Sequence, residues 1–382
     1  GIAKGGDGVA RESSGRVVFV RGGLPGDIVD VELIDERPRL ARAVVSGVLR
    51  PGPGRVAPVC SHVADGCGGC DLQHASVDHQ RELKLMIVAD ALERIGRMPP
   101  VDLDWGGSVP RDGYRTTVRC VVTAGRAGFR AHRSDRGVPA PTCTIAHPTI
   151  RAIMADTDFG SASDAQIRVG ARTGDVNIVA TPTAPHPPGD VVGADELDRG
   201  REVFVYEEAA GRRWRVSARS FFQSSPEAVD LLASQVRSRL GEIPSSATVC
   251  DLYAGVGIFS GALAHVGRTV VVESSRSALA DAAHNLADLS LSLGRASVVR
   301  WSAVAAGVGV GVPARAGGGT RGVAVVDGTG ADRVVLVSCD PAAFARDARL
   351  LVDLGFALDE ATVLDLFPQT SHVEVVAGFV RR

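Results

Sequence analysis

The alternation of apolar and polar positions changes character along the chain. Up to residue 50, apolar residues come in short runs separated by glycine turns. Val17, Val18, Phe19 and Val20 lie between Arg16 and Arg21, apolar and acidic residues alternate from Ile28 to Ile34, and a third run extends from Ala41 to Val48. Short strands at close spacing predict a small, OB-like β-barrel over 1–50. Pro51, Pro53 and Pro58 then mark a linker. The period lengthens to that of a helix from about Val77 to Ile95. Ser76 is placed to cap its start, Leu83, Met86, Ile87 and Leu92 supply an apolar face, and Gly96 with Pro99 and Pro100 ends it. Residues 114–215 read as mainly β, with Pro- and Gly-rich loops around 181–200, so 51–215 is expected to form a central, mainly β domain.

From Ser217 the pattern becomes an alternation of strands and helices. Ser225 and Pro226 suit the cap and first turn of a helix that Gly241 stops. A strand at 247–252, a glycine loop, a helix, a strand at 269–273 and a helix near 276–288 follow. The last such pair is a strand at 333–338 and a helix after Pro341. This order predicts an α/β, Rossmann-like, doubly wound sheet over 216–382.

Composition refines the picture only locally. A chain of 382 residues suits two or three domains, and 45% hydrophobic content is enough for ordinary cores. A net charge of −2 means that any nucleic-acid surface must be local. Lys4 and Lys84 are the lysines, and the remaining positive charge is arginine. Residues 111–136 carry Arg111, Arg115, Arg119, Arg126, Arg130, Arg133 and Arg136 against Asp112 and Asp135. Such a stretch can hold an RNA backbone, with Arg115 and Arg119 as candidate contacts, or it can be a solvated basic face. No apolar stretch approaches the length of a membrane-spanning helix, so no membrane partner is expected. Gly1 and Ile2 begin inside a folded pattern without a visible signal peptide. The expectation is a cytoplasmic protein, monomeric and short of a few N-terminal residues.

Seven cysteines in such a chain read as metal or catalytic thiols before disulfides. Cys60, Cys67 and Cys70 crowd together among Gly66, Gly68 and Gly69, and Cys143 is a fourth candidate downstream. Four thiolates suit zinc or an iron–sulfur cluster, and spacing does not separate the two. Cys120 and Cys250 lie in apolar β runs and read as core. In "VCDLYAGVGIF", Gly255 and Gly257 let backbone approach a ligand, and Glu273 at the end of the next strand can accept bonds from ribose hydroxyls. Ser at position 260 removes the third glycine of a dinucleotide loop and favours an adenosylmethionine-type loop. Cys339 follows a strand at the sheet edge where α/β enzymes bind ligands, before a helix whose dipole favours a thiolate. Near the C-terminus, "PQTSHVEVV" brings His372 and Glu374, a lone carboxylate in an apolar strand that requires a partner or a task.

Taken in order, "CGGCDLQH", "SFFQSSPEA", "DLYAGVG", "VSCDPAAFARD" and "HVEVV" resemble the uracil-5 RNA methyltransferases, which act on ribosomal or transfer RNA. "LPGDIVDVEL" resembles the TRAM domain, a small RNA-binding barrel, the alternative for the segment being an unspecialised β-meander. The resemblance covers essentially the whole chain and points to the cluster-bearing branch, which favours ribosomal RNA. It implies a 4Fe-4S cluster on Cys60, Cys67, Cys70 and Cys143, and S-adenosyl-L-methionine bound by Gln223, Tyr253, Gly255, Gly257 and Glu273. It also implies that the Cys339 thiolate adds to C6 of a flipped uracil and that Glu374 removes the C5 proton. The chain departs from the family at Val312, where an aspartate usually precedes Pro-x-Arg, at Trp301 and Ser302, at Ile258, and in a short 274–312 stretch. Those departures define a second reading, a catalytically impaired RNA-binding homologue with a structural iron–sulfur cluster. A third is a zinc-ribbon nucleic-acid binder carrying an unrelated α/β domain.

Overall fold

A computed structural model describes residues 1–182, 191–263, 268–289, 291–295, 308–311, 326 and 330–382. Val312, Trp301 and Ser302 lie outside the described residues.

The first fifty residues form a four-stranded sheet in the order β1 (Gly8–Arg11), β2 (Val17–Arg21), β4 (Leu40–Arg50), β3 (Ile28–Arg37). Val18, Val20, Ala41 and Ala43 point inward at alternate positions, the period-2 burial of a half-covered sheet. α1 (Val77–Arg94) starts where Ser76 accepts the His79 amide. Its buried face is Gln80, Leu83, Lys84, Ile87, Val88, Ala91 and Leu92. Met86, expected on the apolar face, is 43% exposed, and Lys84 takes the interior instead because an anionic partner awaits it there.

β5 (Leu103–Ser108) leads into a second sheet built from β6 (Thr117–Thr123), β7 (Arg126–Arg130), β8 (Gly137–Pro139), β9 (Asp164–Val169), β10 (Val176–Thr181) and β11 (Val191–Gly193). α2 (Pro148–Asp156) packs on β7 and β9, and the short α3 (Ala194–Asp198) follows β11. A two-stranded hairpin, β12 (Phe204–Ala209) and β13 (Arg212–Ser217), leads to the C-terminal unit.

That unit contains α4 (Pro226–Leu240), β14 (Thr248–Leu252), α5 (Ile258–Ala262), β15 (Arg268–Glu273), α6 (Arg276–Asn285), β16 (Leu291–Arg295) and β17 (Val308–Gly311). β18 (Arg333–Ser338), α7 (Pro341–Asp353), β19 (Phe356–Asp365) and β20 (Glu374–Arg381) complete it. Its eight strands run in the order β16-β15-β14-β17-β18-β20-β19-β5, parallel from β16 to β18, with β20 antiparallel to both neighbours. The α/β, doubly wound architecture is as the alternation predicts, and β5 adds an edge strand from outside the C-terminal region. Both faces are buried, so the strands read as continuous apolar runs. Val249, Val335, Val337 and Val376 face α4, while Cys250, Val334, Leu336 and Phe379 face α1 and α7. Covering the second face with α1 joins the cysteine-bearing region to the back of the C-terminal sheet.

Candidate active site

The C-terminal edge of this sheet collects most of the singled-out residues. Tyr253 follows β14, Glu273 ends β15 and Cys339 follows β18. Because β20 runs the other way, its first residue, Glu374, lies at the same edge. Ser338 pairs with Val375, so the next rung of the ladder sets position 339 opposite position 374. On its other side Glu374 pairs with Leu364 of β19.

The β14–β15 side is a local construction. Tyr253 holds φ 63, an uncommon conformation for a bulky side chain, and is 41% exposed. The Gly255 amide donates to Glu273 Oε2 at 2.8 Å, and the Ser274 and Ser275 amides donate to Oε1 at 2.7 Å each. Glu273 therefore orders the glycine loop. A Cβ on Gly255 would meet nothing within 4 Å, which leaves open space above the turn. A Cβ on Gly257 would come within 2.6 Å of Leu286 Cδ1, so the packing of α6 against the turn requires glycine there. Asp251, which sequence reasoning passed over, is buried in β14. Burial pushes its carboxyl up to about 6, although Ser260 donates to Oδ2 from its hydroxyl at 2.6 Å and its amide at 3.0 Å. Ser260 thus fastens the loop where a dinucleotide fold would carry glycine.

Gln223 sits in the buried segment before α4. Arg168 anchors that segment by donating to the Ser217 and Ser220 carbonyls at 2.6 and 2.7 Å, and buried Asp281 takes the Ser217 and Ser220 hydroxyls at 2.7 and 2.5 Å. Ser224 Oγ donates to the Leu366 carbonyl at 2.7 Å, which brings the segment to the loop ahead of Glu374.

The Cys339–Glu374 side is assembled from distant parts of the chain. Asp340 caps α7 by accepting the Ala342 and Ala343 amides at 2.9 and 3.1 Å. Lys4, from the turn before β1, pairs with its other oxygen. Burial opposes ionisation of Asp340, but Lys4 and these amides hold the carboxyl below its ordinary range. Glu374 is 5% exposed, and burial pushes its carboxyl up to about 8. The loop before it, residues 366–373, is pinned from outside. Lys84 pairs with Asp365 and donates to the Phe367 carbonyl at 3.2 Å. Tyr114 Oη donates to the Pro368 carbonyl at 3.1 Å, and Gln80 exchanges two bonds with Gln369 at 2.9 and 3.1 Å. The His372 ring stands edge-on to Phe367 at 5.8 Å.

Arg115 lies over the Phe367 ring at 6.0 Å, beside this loop. Arg119 is exposed on β6 and touches Gln166 at 3.3 Å. Carboxylates neutralise several neighbours, pairing Arg111 with Asp112, Arg130 with Asp164 and Arg133 with Asp7.

All seven cysteines are thiols outside any disulfide. Among the described residues, no three His, Cys, Asp or Glu side chains close on one point as a single-ion site would require. Cys60, Cys67, Cys70 and Cys143 nonetheless share one neighbourhood. Burial pushes the Cys70 thiol up to about 12, and charge on Cys143, Cys67 and Cys60 adds to the rise. Burial likewise raises Cys67 and Cys143. Amide donors oppose these rises, from Gly69 to Cys67 and from Ala146 and Ile145 to Cys143. A Cβ on Gly68 would press within 2.8 Å of the His132 nitrogen, so the turn between the cysteines requires glycine. Backbone amides thus reach the Cys67 and Cys143 sulfurs and the Gln73 side chain reaches Cys70, a donor set that suits thiolates ligating zinc or an iron–sulfur cluster.

Comparison with known proteins places these features in context. Residues 1–46 match the TRAM domain family. A protein of Streptomyces avermitilis described as an uncharacterized RNA methyltransferase is 35% identical, over 98% of this chain and 95% of its own. The 23S rRNA (uracil(1939)-C(5))-methyltransferase RlmD of Halomonas elongata is 32% identical, over 98% of this chain and 87% of its own. The crystal structure of the Pyrococcus abyssi tRNA (uracil-54, C5)-methyltransferase in complex with S-adenosyl-L-homocysteine superposes with a TM-score of 0.73 at 24% identity, over 98% and 100% of the two chains.

Proposed function

Since this chain belongs to the uracil-5 RNA methyltransferase family, we propose that it transfers a methyl group from S-adenosylmethionine to C5 of a uridine in RNA, through a covalent bond between Cys339 and C6. The observation that carries this reading is the β18–β20 register, which sets position 339 opposite a buried carboxylate at the ligand-binding edge of the sheet. Uracil C5 is too weakly nucleophilic to take a methyl group unaided. Addition of the Cys339 thiolate to C6 makes C5 an enolate carbon, which attacks the donor methyl. Glu374 then takes the C5 proton, and β-elimination returns the electron pair to sulfur. A carboxyl raised to about 8 by burial is basic enough for that proton and is part-ionised near neutral pH.

On the donor side, Glu273 accepts ribose hydroxyls, the turn at Gly255 leaves room for the adenosine, and Tyr253 and Gln223 line the remainder. The target base leaves its stack to enter, and Arg115 and Arg119 hold phosphates on either side. Cys60, Cys67, Cys70 and Cys143 would hold a 4Fe-4S cluster. The methylation is redox-neutral, and the cluster would cross-link residues 60–70 to residue 143 beside the RNA-facing sheet.

The test is incubation of purified protein with ribosomal and transfer RNA and methyl-labelled donor, followed by nucleoside analysis. The reading requires labelled 5-methyluridine. Donor and RNA binding without product would favour the second reading, an impaired RNA-binding homologue, to which the departures at Val312 and Ser302 point.

A further inference from the structure

Two consecutive residues after Cys70 grip the loop that presents Glu374. The Leu72 amide donates to the Gln369 carbonyl at 3.0 Å. Asp71 takes both donors of Ser371, its amide on Oδ1 at 2.6 Å and its hydroxyl on Oδ2 at 2.7 Å. The Ser371 hydroxyl also accepts the Gly5 amide at 3.1 Å, so the turn before β1 joins the same knot. Gly6 is shaped around it. At φ +77 it adopts a conformation natural to glycine, and a Cβ there would fall 2.9 Å from Asp71 Cγ. Ser371 is 4% exposed and lies three residues before Glu374, a span of at most about 10 Å of chain with little slack.

We infer that Asp71 is a positioning residue for Glu374: through Ser371 it ties the cysteine-bearing segment to the loop that aims the base. This rests on the reading of Glu374 as the group that removes the C5 proton. Asp71 touches neither reactant in this account. Both of its carboxylate oxygens accept. Because the Ser371 hydroxyl can also accept, an asparagine could keep both contacts by reversing one, whereas alanine at position 71 removes both. Loss of the tie lets the loop shift, which slows proton removal while leaving attack by Cys339 and binding of RNA and donor intact.

The experiment compares the whole protein with its Asp71→Ala, Ser371→Ala and Gly6→Ala variants. In each variant, kcat should fall roughly 10–100-fold, the effect of displacing a catalytic group by ~1 Å, with KM for RNA and donor unchanged. A covalent protein–RNA adduct should accumulate on denaturing gels, since attack outruns proton loss. Hydrogen exchange should rise in residues 366–373 and remain unchanged in α1. A lowered melting temperature with raised KM and no adduct would overturn the inference and make Asp71 a fold-maintaining residue. Unchanged exchange in the loop would overturn it as well. If the unaltered protein makes no 5-methyluridine, the functional reading fails separately, and the exchange measurement still decides whether Asp71 holds the loop.

Discussion

The two halves of the sheet edge are built on opposite plans. The Gly255–Glu273 half is closed within residues 251–286: Ser260 fastens Asp251, Glu273 orders the Gly255 turn, and Leu286 packs where a Gly257 side chain would stand. The Cys339–Glu374 half borrows Lys4, Asp71, Gln80, Lys84 and Tyr114 from the first third of the chain. One half is held mainly by local bonds and exposes Tyr253. The other, with Glu374 buried and Cys339 half-buried, answers to the packing of the N-terminal region, the cysteine segment and α1. The difference suits the chemistry proposed: a donor shared by many enzymes needs only a local cradle, whereas a base acting on a flipped nucleotide must be held in register with the surfaces that grip the RNA.

Breaking the buried Lys84–Asp365 pair should have the largest effect. Lys84 is fully buried, and burial lowers its pKa as it raises that of Asp365. Lys84→Ala strands a carboxylate under the loop and should cost about 3–5 kcal/mol of stability. Chemical denaturation checks this, and replacing both partners by apolar residues should restore most of the loss. An equal loss in the double replacement would mean that the pair itself, not the stranded charge, holds the loop.

Next comes Glu374, through pH. Its native pKa of about 8 lies above the unfolded value of about 4.3, so the native state binds the extra proton between them. Its contribution is therefore favourable at low pH and is lost as pH rises through the native value. Glu374→Gln should gain stability relative to the unaltered protein between pH 5 and 9, by on the order of a few kcal/mol. Melting temperatures across that range test this, and parallel curves would refute it.

A smaller effect sharpens the contrast from the other side. Ser260→Ala removes the 2.6 Å bond to Asp251 and should weaken donor binding by ~1–2 kcal/mol without altering RNA affinity. Calorimetry with S-adenosylmethionine and filter binding with RNA separate the two. The smallest expected change is at Arg119, exposed on β6, where alanine should weaken RNA binding and flatten the log–log salt dependence by about one phosphate.

The contrast also explains what could be read from the sequence. The Gly255–Glu273 half was legible because its parts are contiguous and obey glycine-turn and strand-end rules. Asp251 was missed although the rule that singles out Glu374, a lone carboxylate in an apolar strand, applies equally to it in "TVCDL". The support of the Glu374 loop left no local trace: Asp71, Gln80 and Lys84 are ordinary polar residues until the fold brings them to residues 365–371. Helical periodicity places α1 and buries Leu83, Ile87 and Leu92 as found, and errs at Met86 for the same reason, since an apolar count has no means of anticipating a buried ion pair at Lys84. β5 escaped because its alternation, Leu103-Asp104-Trp105, is cut short by Gly106 and Gly107, and its edge pairing with β19 makes it a strand.

The most direct test of the account is a mass measurement of protein incubated with RNA and S-adenosylmethionine, made on Cys339→Ala and Glu374→Gln side by side. The divided roles proposed for the two side chains predict no adduct for Cys339→Ala and a trapped adduct, methylated at C5, for Glu374→Gln. Methylated product from Cys339→Ala, or free unmodified RNA with Glu374→Gln while the unaltered protein is active, would contradict it.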